Sequence, residues 1–247
     1  MWRRVLAVVV VVACGAGVVG YQASRPSKAP ASPRVFIPSP SFFTDFSPSF
    51  RTSIADAYYL YMVQYYGEHV NGDHRLDSLP AMVDLITTLS PHYTKAYIFG
   101  AFGLMDAGRP DLGYKLLERG FKENPGDWRF PDYLGFFAYT FGKGKAKDAV
   151  VGDWYRQAAA LPGSPAYVKR LAADMLGKGG QTQKAVLLWG QVYSAGDKYS
   201  QQKAVAGLEK ILPTDKAARM KAVAPLYATM PKAEFDALIA ELFKGYK

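Results

Sequence analysis

The side chains of this chain best suited to metal or nucleophilic chemistry are few: three histidines (His69, His74 and His92) and one cysteine, Cys14. His69, Asp73 and His74 flank Asn71-Gly72, and donors of this kind are the ones zinc takes. Zinc needs three or four such ligands held together, and nothing nearby in sequence supports the loop, so it reads as a solvated turn. Cys14 sits inside an apolar run and offers no thiol to a soluble active site. No Gly-Lys-Ser/Thr loop is present to cradle phosphate, and the paired glycines fall at turns. Acidic residues are plentiful, but their spacing pairs none of them for acid–base work. The expectation is a protein that is not an enzyme, with no catalytic residue, no metal and no cofactor.

What the remaining elements must position is therefore a surface. Hydrophobic residues at 49% and charged residues at 21% describe a folded chain and exclude a largely disordered one. The 17 tyrosines and 14 phenylalanines supply large apolar areas for a core. The net charge is +9, of which residues 1–125 carry +2 (12 basic, 10 acidic) and residues 126–247 carry +7 (18 basic, 11 acidic). A basic half is a feature of nucleic-acid, lipid and acidic-protein partners alike. Here Lys169, Lys178, Lys184, Lys198, Lys203 and Lys210 are dispersed singly along helical patterns, which reads as a solvated surface and disfavours nucleic acid.

At the N-terminus, Arg3-Arg4 precede 17 uncharged residues from Val5 to Tyr21, at the short end of the roughly 17–25 that span a bilayer. The pattern predicts a membrane segment over 1–21 with the N-terminus cytoplasmic and the body extracytoplasmic, periplasmic in a bacterium. Three fates are open to it. An uncleaved anchor accounts for the apolar run continuing past Cys14. Val11-Val12-Ala13-Cys14 resembles a bacterial lipobox, which would lipidate Cys14, and a conventionally cleaved signal is the third. Residues 22–50 form a linker, since Pro26, Pro30, Pro33, Pro38, Pro40 and Pro48 leave no helical period. Its Phe36, Phe42, Phe43, Phe46 and Phe50 predict that the second half lies extended on the first helices or on a partner.

From Arg51 onward the punctuation becomes helix, tight turn, helix. Gly108-Arg109-Pro110, Gly142-Lys143-Gly144 and Gly179-Gly180 each separate two helical patterns, while Pro125-Gly126, Pro162-Gly163 and Pro213 close the second ones. Ser90-Pro91 and Ser164-Pro165 predict a capping hydroxyl followed by proline in a first turn. Ile54–Tyr66 is apolar nearly all round, which predicts burial on several sides. Met82, Leu85, Ile86 and Leu89 form one stripe of a partner helix. Helices are expected near 199–211, 214–228 and 231–243, the last with Phe235, Leu238, Ile239 and Leu242 on one side as a terminal cap.

In the segment Thr94–Tyr193, Tyr97, Gly100-Ala101 and Leu104 are followed by Gly113, Leu117, Gly120 and Pro125. Leu134-Gly135 and Ala138 are followed by Val151, Tyr155, Ala158 and Pro162; Ala172-Ala173 and Leu176 by Ala185, Trp189 and Val192. This order of large and small residues resembles three consecutive tetratricopeptide repeats. Departures are Pro131 where the family has a large residue, about four extra residues around Lys143–Lys147, and glycine for alanine at Gly113 and Gly120, about 1 kcal/mol each in helix propensity. The resemblance implies an all-α, right-handed α-solenoid of antiparallel hairpins. The expected divisions are the anchor 1–21, linker 22–50, a first hairpin 51–90, repeats 91–196 and capping helices 197–247.

In such arrays the first helix of each hairpin lines the concave side. Carrying that register over directs Lys95, Ile98, Phe102, Arg129, Asp132, Phe136, Tyr139, Tyr167, Arg170 and Asp174 toward a groove, a mixture of aromatic and charged side chains that suits interface anchors. The expected function is a membrane-tethered scaffold for an unidentified protein or peptide partner. The alternative is a structural accessory subunit of a larger membrane complex.

Overall fold

A computed structural model describes residues 36–46, 48–144 and 146–246, together with Trp2. Apart from Trp2, the expected anchor with Cys14 and the linker as far as residue 35 lie outside the described residues. Among the described residues there are helices and turns and no strand. A short helix α1 (Pro40–Phe46) leads into the long α2 (Arg51–Val70) and α3 (Leu79–Leu89). Three pairs of similar length follow: α4 (Thr94–Asp106) with α5 (Pro110–Glu123), α6 (Arg129–Phe141) with α7 (Lys147–Ala160), and α8 (Ala166–Lys178) with α9 (Thr182–Ser194). The chain closes with α10 (Lys198–Ile211), α11 (Lys216–Val223), a 3-10 segment Ala224–Ala228 and α12 (Lys232–Leu242). No described helix is long and apolar enough to cross a membrane.

Turns of three to eight residues turn the chain back between successive helices, and from α2 to α10 extensive packing joins each helix to its neighbour in sequence. Gly108 and Gly180 make the reversals at φ 73° and 76°, a conformation that a Cβ opposes. The small–large pattern is what fills the space between. Tyr97, Ala101, Leu104, Leu117, Leu134, Val151, Ala158, Ala172, Ala173, Leu176, Ala185, Trp189 and Val192 are all buried, with only Ala138 half-buried. A large side chain sealed in this way contributes about 1.5–3 kcal/mol. The glycines that weaken helix propensity are explained by contact. A Cβ on Gly113 would lie 2.7 Å from the Ala101 carbonyl oxygen and 2.8 Å from the Phe137 ring, and one on Gly120 would collide with Phe130.

Side chains two helices apart also meet, in two rows. Along α2, α4, α6, α8 and α10, Tyr66 meets Phe99 (5.2 Å between ring centroids) and Phe102 meets Phe136 (5.8 Å). The row continues as Tyr167 donates to Asp132 (3.4 Å) and Arg170 lies over Tyr199 (5.8 Å). Along α3, α5, α7 and α9, Arg119 pairs with Asp84 (2.9 Å), Trp154 donates to Tyr114 (2.9 Å) and Lys184 reaches Asp153 (3.4 Å). The C-terminal end is locked by buried Arg219 on α11, which donates to the carbonyls of Pro213 (3.0 Å) and Leu242 (2.9 Å) and sits over the Tyr246 ring.

Three local expectations need correction. Neither Ser90 nor Ser164 caps a helix N-terminus: Ser90 is the C-terminal cap of α3, α4 starts only at Thr94, and Pro165 precedes α8 with no side-chain cap. The side-chain caps are Asp197, accepting from the Ser200 N–H, and Asp215, accepting from the Ala218 N–H. The end of the linker does rest on the first helices, through half-buried Ile37 in the non-helical stretch 36–39 and half-buried Phe43, which sits in helix α1 rather than in extended chain. Finally, α2 is not buried on several sides, because Leu60, Tyr61 and Val63 remain exposed.

Candidate partner-binding face

The ten residues expected to line a groove fall on α4, α6 and α8, three successive members of one row. Their roles differ. Lys95 is exposed, whereas Ile98 and Phe102 are half-buried against the core, Phe102 edge-on to Tyr133 (5.2 Å). Arg129 is occupied locally: it clamps Asp127 at 2.6 Å, and Asp127 also accepts from Thr94 across the loop (3.2 Å). Burial acts against the Asp127 charge, yet the Arg129 bonds hold its carboxyl below the ordinary range. Asp174 is likewise taken, by Lys178 at 2.7 Å. Arg129 and Asp174 therefore shape the face rather than stand free on it.

The exposed part is aromatic. Phe136 (37% exposed), Tyr139 (50%) and Tyr167 (41%) keep rings in water, and Lys147 lies over the Tyr139 ring at 4.9 Å. Asp132 sits among Tyr155 and Tyr167, where burial pushes its carboxyl up to about 6 against the pull of the Tyr167 hydroxyl. Burial, and next the Asp132 charge, push Tyr155 up to about 12. An aromatic surface with one carboxylate set into it can anchor apolar side chains of another chain.

The row continues where the expected groove stopped. Between α8 and α10 lies a cleft of about 370 Å³, walled by Tyr167, Leu171, Tyr199 and Trp189 and rimmed by Arg170, Lys203 and Lys210. Tyr199 is 56% exposed and carries both Arg170 (5.8 Å) and Lys203 (5.4 Å) over its ring. The available signal was positional: Tyr199 is the second residue of α10, as Tyr167 is of α8. Trp189 packs on Gly207 so closely that a Cβ there would collide with the indole, and its buried N–H has no acceptor among the described residues.

Elsewhere, His69 is buried with its Nδ1 2.5 Å from an Asp73 oxygen, its ring against Tyr65. His74 takes φ 58° in the turn that follows. No group of three or more metal-ligating side chains gathers among the described residues. No protein-family model matches the chain, and no curated protein matches it.

Proposed function

We propose that this protein is a membrane-tethered scaffold that holds a segment of another protein against the α4–α6–α8–α10 row of a right-handed, tetratricopeptide-type solenoid. The observation that carries the reading is the run of exposed rings on consecutive members of that row: Phe136 and Tyr139, then Tyr167, then Tyr199. Rings left in water next to one another are the anchors of partner surfaces. Burial of the repeat-pattern positions and the next-but-one contacts along both rows support the solenoid. The apolar stretch Val5–Tyr21 behind Arg3-Arg4 supports the tether and an extracytoplasmic body. Dispersal of the lysines supports a protein partner over nucleic acid.

The test is photocrosslinking in native membranes from a photoreactive residue at Phe136, with recovery of the partner compared between the otherwise wild-type chain and Tyr139→Glu/Tyr167→Glu. A carboxylate on each ring position should abolish recovery while leaving the helical signal intact. Undiminished recovery removes the row as the binding surface.

The accessory-subunit reading is favoured by a different observation. Phe36, Phe42, Phe50, Leu60 and Tyr61 are exposed at the end of the body nearest the tether, an arrangement suited to packing on other membrane subunits. Migration of the detergent-solubilised protein as a free monomer removes that reading.

A further inference from the structure

A partner held on this row must also cross the α8–α10 cleft, so the chemistry of the cleft selects what it can be. Three cations stand at its rim, and Asp174, the one carboxylate in its lining, is bound to Lys178 at 2.7 Å. Asp197, whose carboxyl feels the Arg170 charge, is engaged in capping α10 through the Ser200 N–H at 2.8 Å. Arg170 and Lys203 rest on the Tyr199 ring instead of on an acid. Positive charge thus predominates over an apolar floor, where three cations face Asp174, the one carboxylate among the lining residues. The volume is at the small end of the roughly 300–1,000 Å³ typical of ligand pockets, room for one bulky side chain with its neighbours on the rim.

This chain's own N-terminal segment is a poor occupant by charge. Residues 1–35 contain Arg3, Arg4, Arg25, Lys28 and Arg34 and no acidic residue.

We propose that the α8–α10 cleft is the docking subsite for an acidic segment of the partner protein. A large apolar or aromatic side chain enters against Trp189 and Gly207, and flanking carboxylates engage Arg170, Lys203 and Lys210. The inference rests on the scaffold reading and deepens it. Charge complementarity of this kind selects the partner and speeds its arrival, and salt weakens it.

The probe is a fluorescein-labelled peptide Asp-Glu-Phe-Glu-Asp, titrated by anisotropy into full-length protein in neutral detergent, beside Lys-Arg-Phe-Arg-Lys of the same length. The acidic peptide should bind and the basic one should not. Lys203→Glu/Lys210→Glu changes only exposed positions and should weaken binding by about tenfold or more. Lys115→Glu/Lys122→Glu makes the same charge change at exposed positions of α5, off the row, and should leave the affinity unchanged. Equal binding of both peptides, or equal binding by wild type and the double lysine variant, overturns the proposal. So does a result in which phosphatidylglycerol vesicles or a single-stranded oligonucleotide, and not the peptide, bind in a manner lost in that variant. Partner recovery lost in Tyr139→Glu/Tyr167→Glu yet normal in Lys203→Glu/Lys210→Glu overturns this subsite and leaves the scaffold reading standing. Recovery normal in both variants overturns the scaffold reading as well.

Discussion

Asp132 is the carboxylate whose surroundings most oppose its charge, and asparagine in its place measures that opposition. In the folded chain burial pushes the carboxyl up from 3.8 to about 6. Between those values the folded state keeps a proton that the unfolded chain has released. Stability therefore falls as pH rises through this window, and the whole deficit is present above about 6. At about 1.36 kcal/mol per pH unit, the interval corresponds to about 3 kcal/mol. Asp132 is only half-buried, so water screens it and about half of that figure, 1–2 kcal/mol, is the expected value. Asparagine retains an oxygen able to accept the Tyr167 hydroxyl, so the hydrogen bond along the row survives. Asp132→Asn should consequently unfold at a higher temperature than wild type at pH 7.5, by about 2–8 °C for a chain of this size. At pH 5 the free-energy gain should be about half as large, and below pH 3.8 it should vanish. Thermal unfolding of the full chain in detergent, followed by circular dichroism across that range, is the assay. A variant less stable than wild type at pH 7.5, or one whose advantage does not shrink with falling pH, refutes the reasoning.

Other sites give sharper single answers. A Cβ at Gly152 would sit 2.7 Å from the Leu176 backbone nitrogen, which cannot rotate away, so Gly152→Ala should lower stability by about 1–3 kcal/mol in urea unfolding despite its better helix propensity. Arg219→Ala leaves the Pro213 and Leu242 carbonyls without their donor, and a loss of about 1–3 kcal/mol should appear with faster amide exchange in α12. Phe130, fully buried against Tyr97, should cost about 3–5 kcal/mol as alanine by the same denaturation assay. Arg129→Gln, by contrast, opens a partly exposed pair, so it should cost about 1 kcal/mol or less and leave recovery of the crosslinked partner unchanged.

The body of the fold was legible because its signals are local. Small and large residues recur within single helices, and Gly108 and Gly180 mark reversals that depend on their own backbone. The extra residues around Lys143–Lys147 proved harmless to the pattern because α6 ends at Phe141 and α7 begins at Lys147, so the turn absorbs them. Capping was misread at Ser90 and Ser164 because a hydroxyl before proline looks the same wherever the helix starts, and α4 begins three residues beyond Pro91. The face was only half legible. A register names Arg129 and Asp174 without showing that Asp127 and Lys178 already hold them. The burial around Asp132 depends on Tyr155 and Tyr167, contributed by helices far along the chain, and no spacing within α6 encodes it. The α10 side of the cleft was missed for a related reason: a helix assigned to capping was not expected to line a cleft with Tyr199 and Lys203.

Because extensive packing runs only between helices close in sequence, no keystone stands among the described residues. Each hairpin offers the next an apolar flank and asks nothing of hairpins farther off, so whole units can be added or removed with only a new end to seal. Such an arrangement can be lengthened without redesigning its middle. The Arg219 clasp would have to travel with the last helices each time, as the fitting that keeps the C-terminal end from fraying.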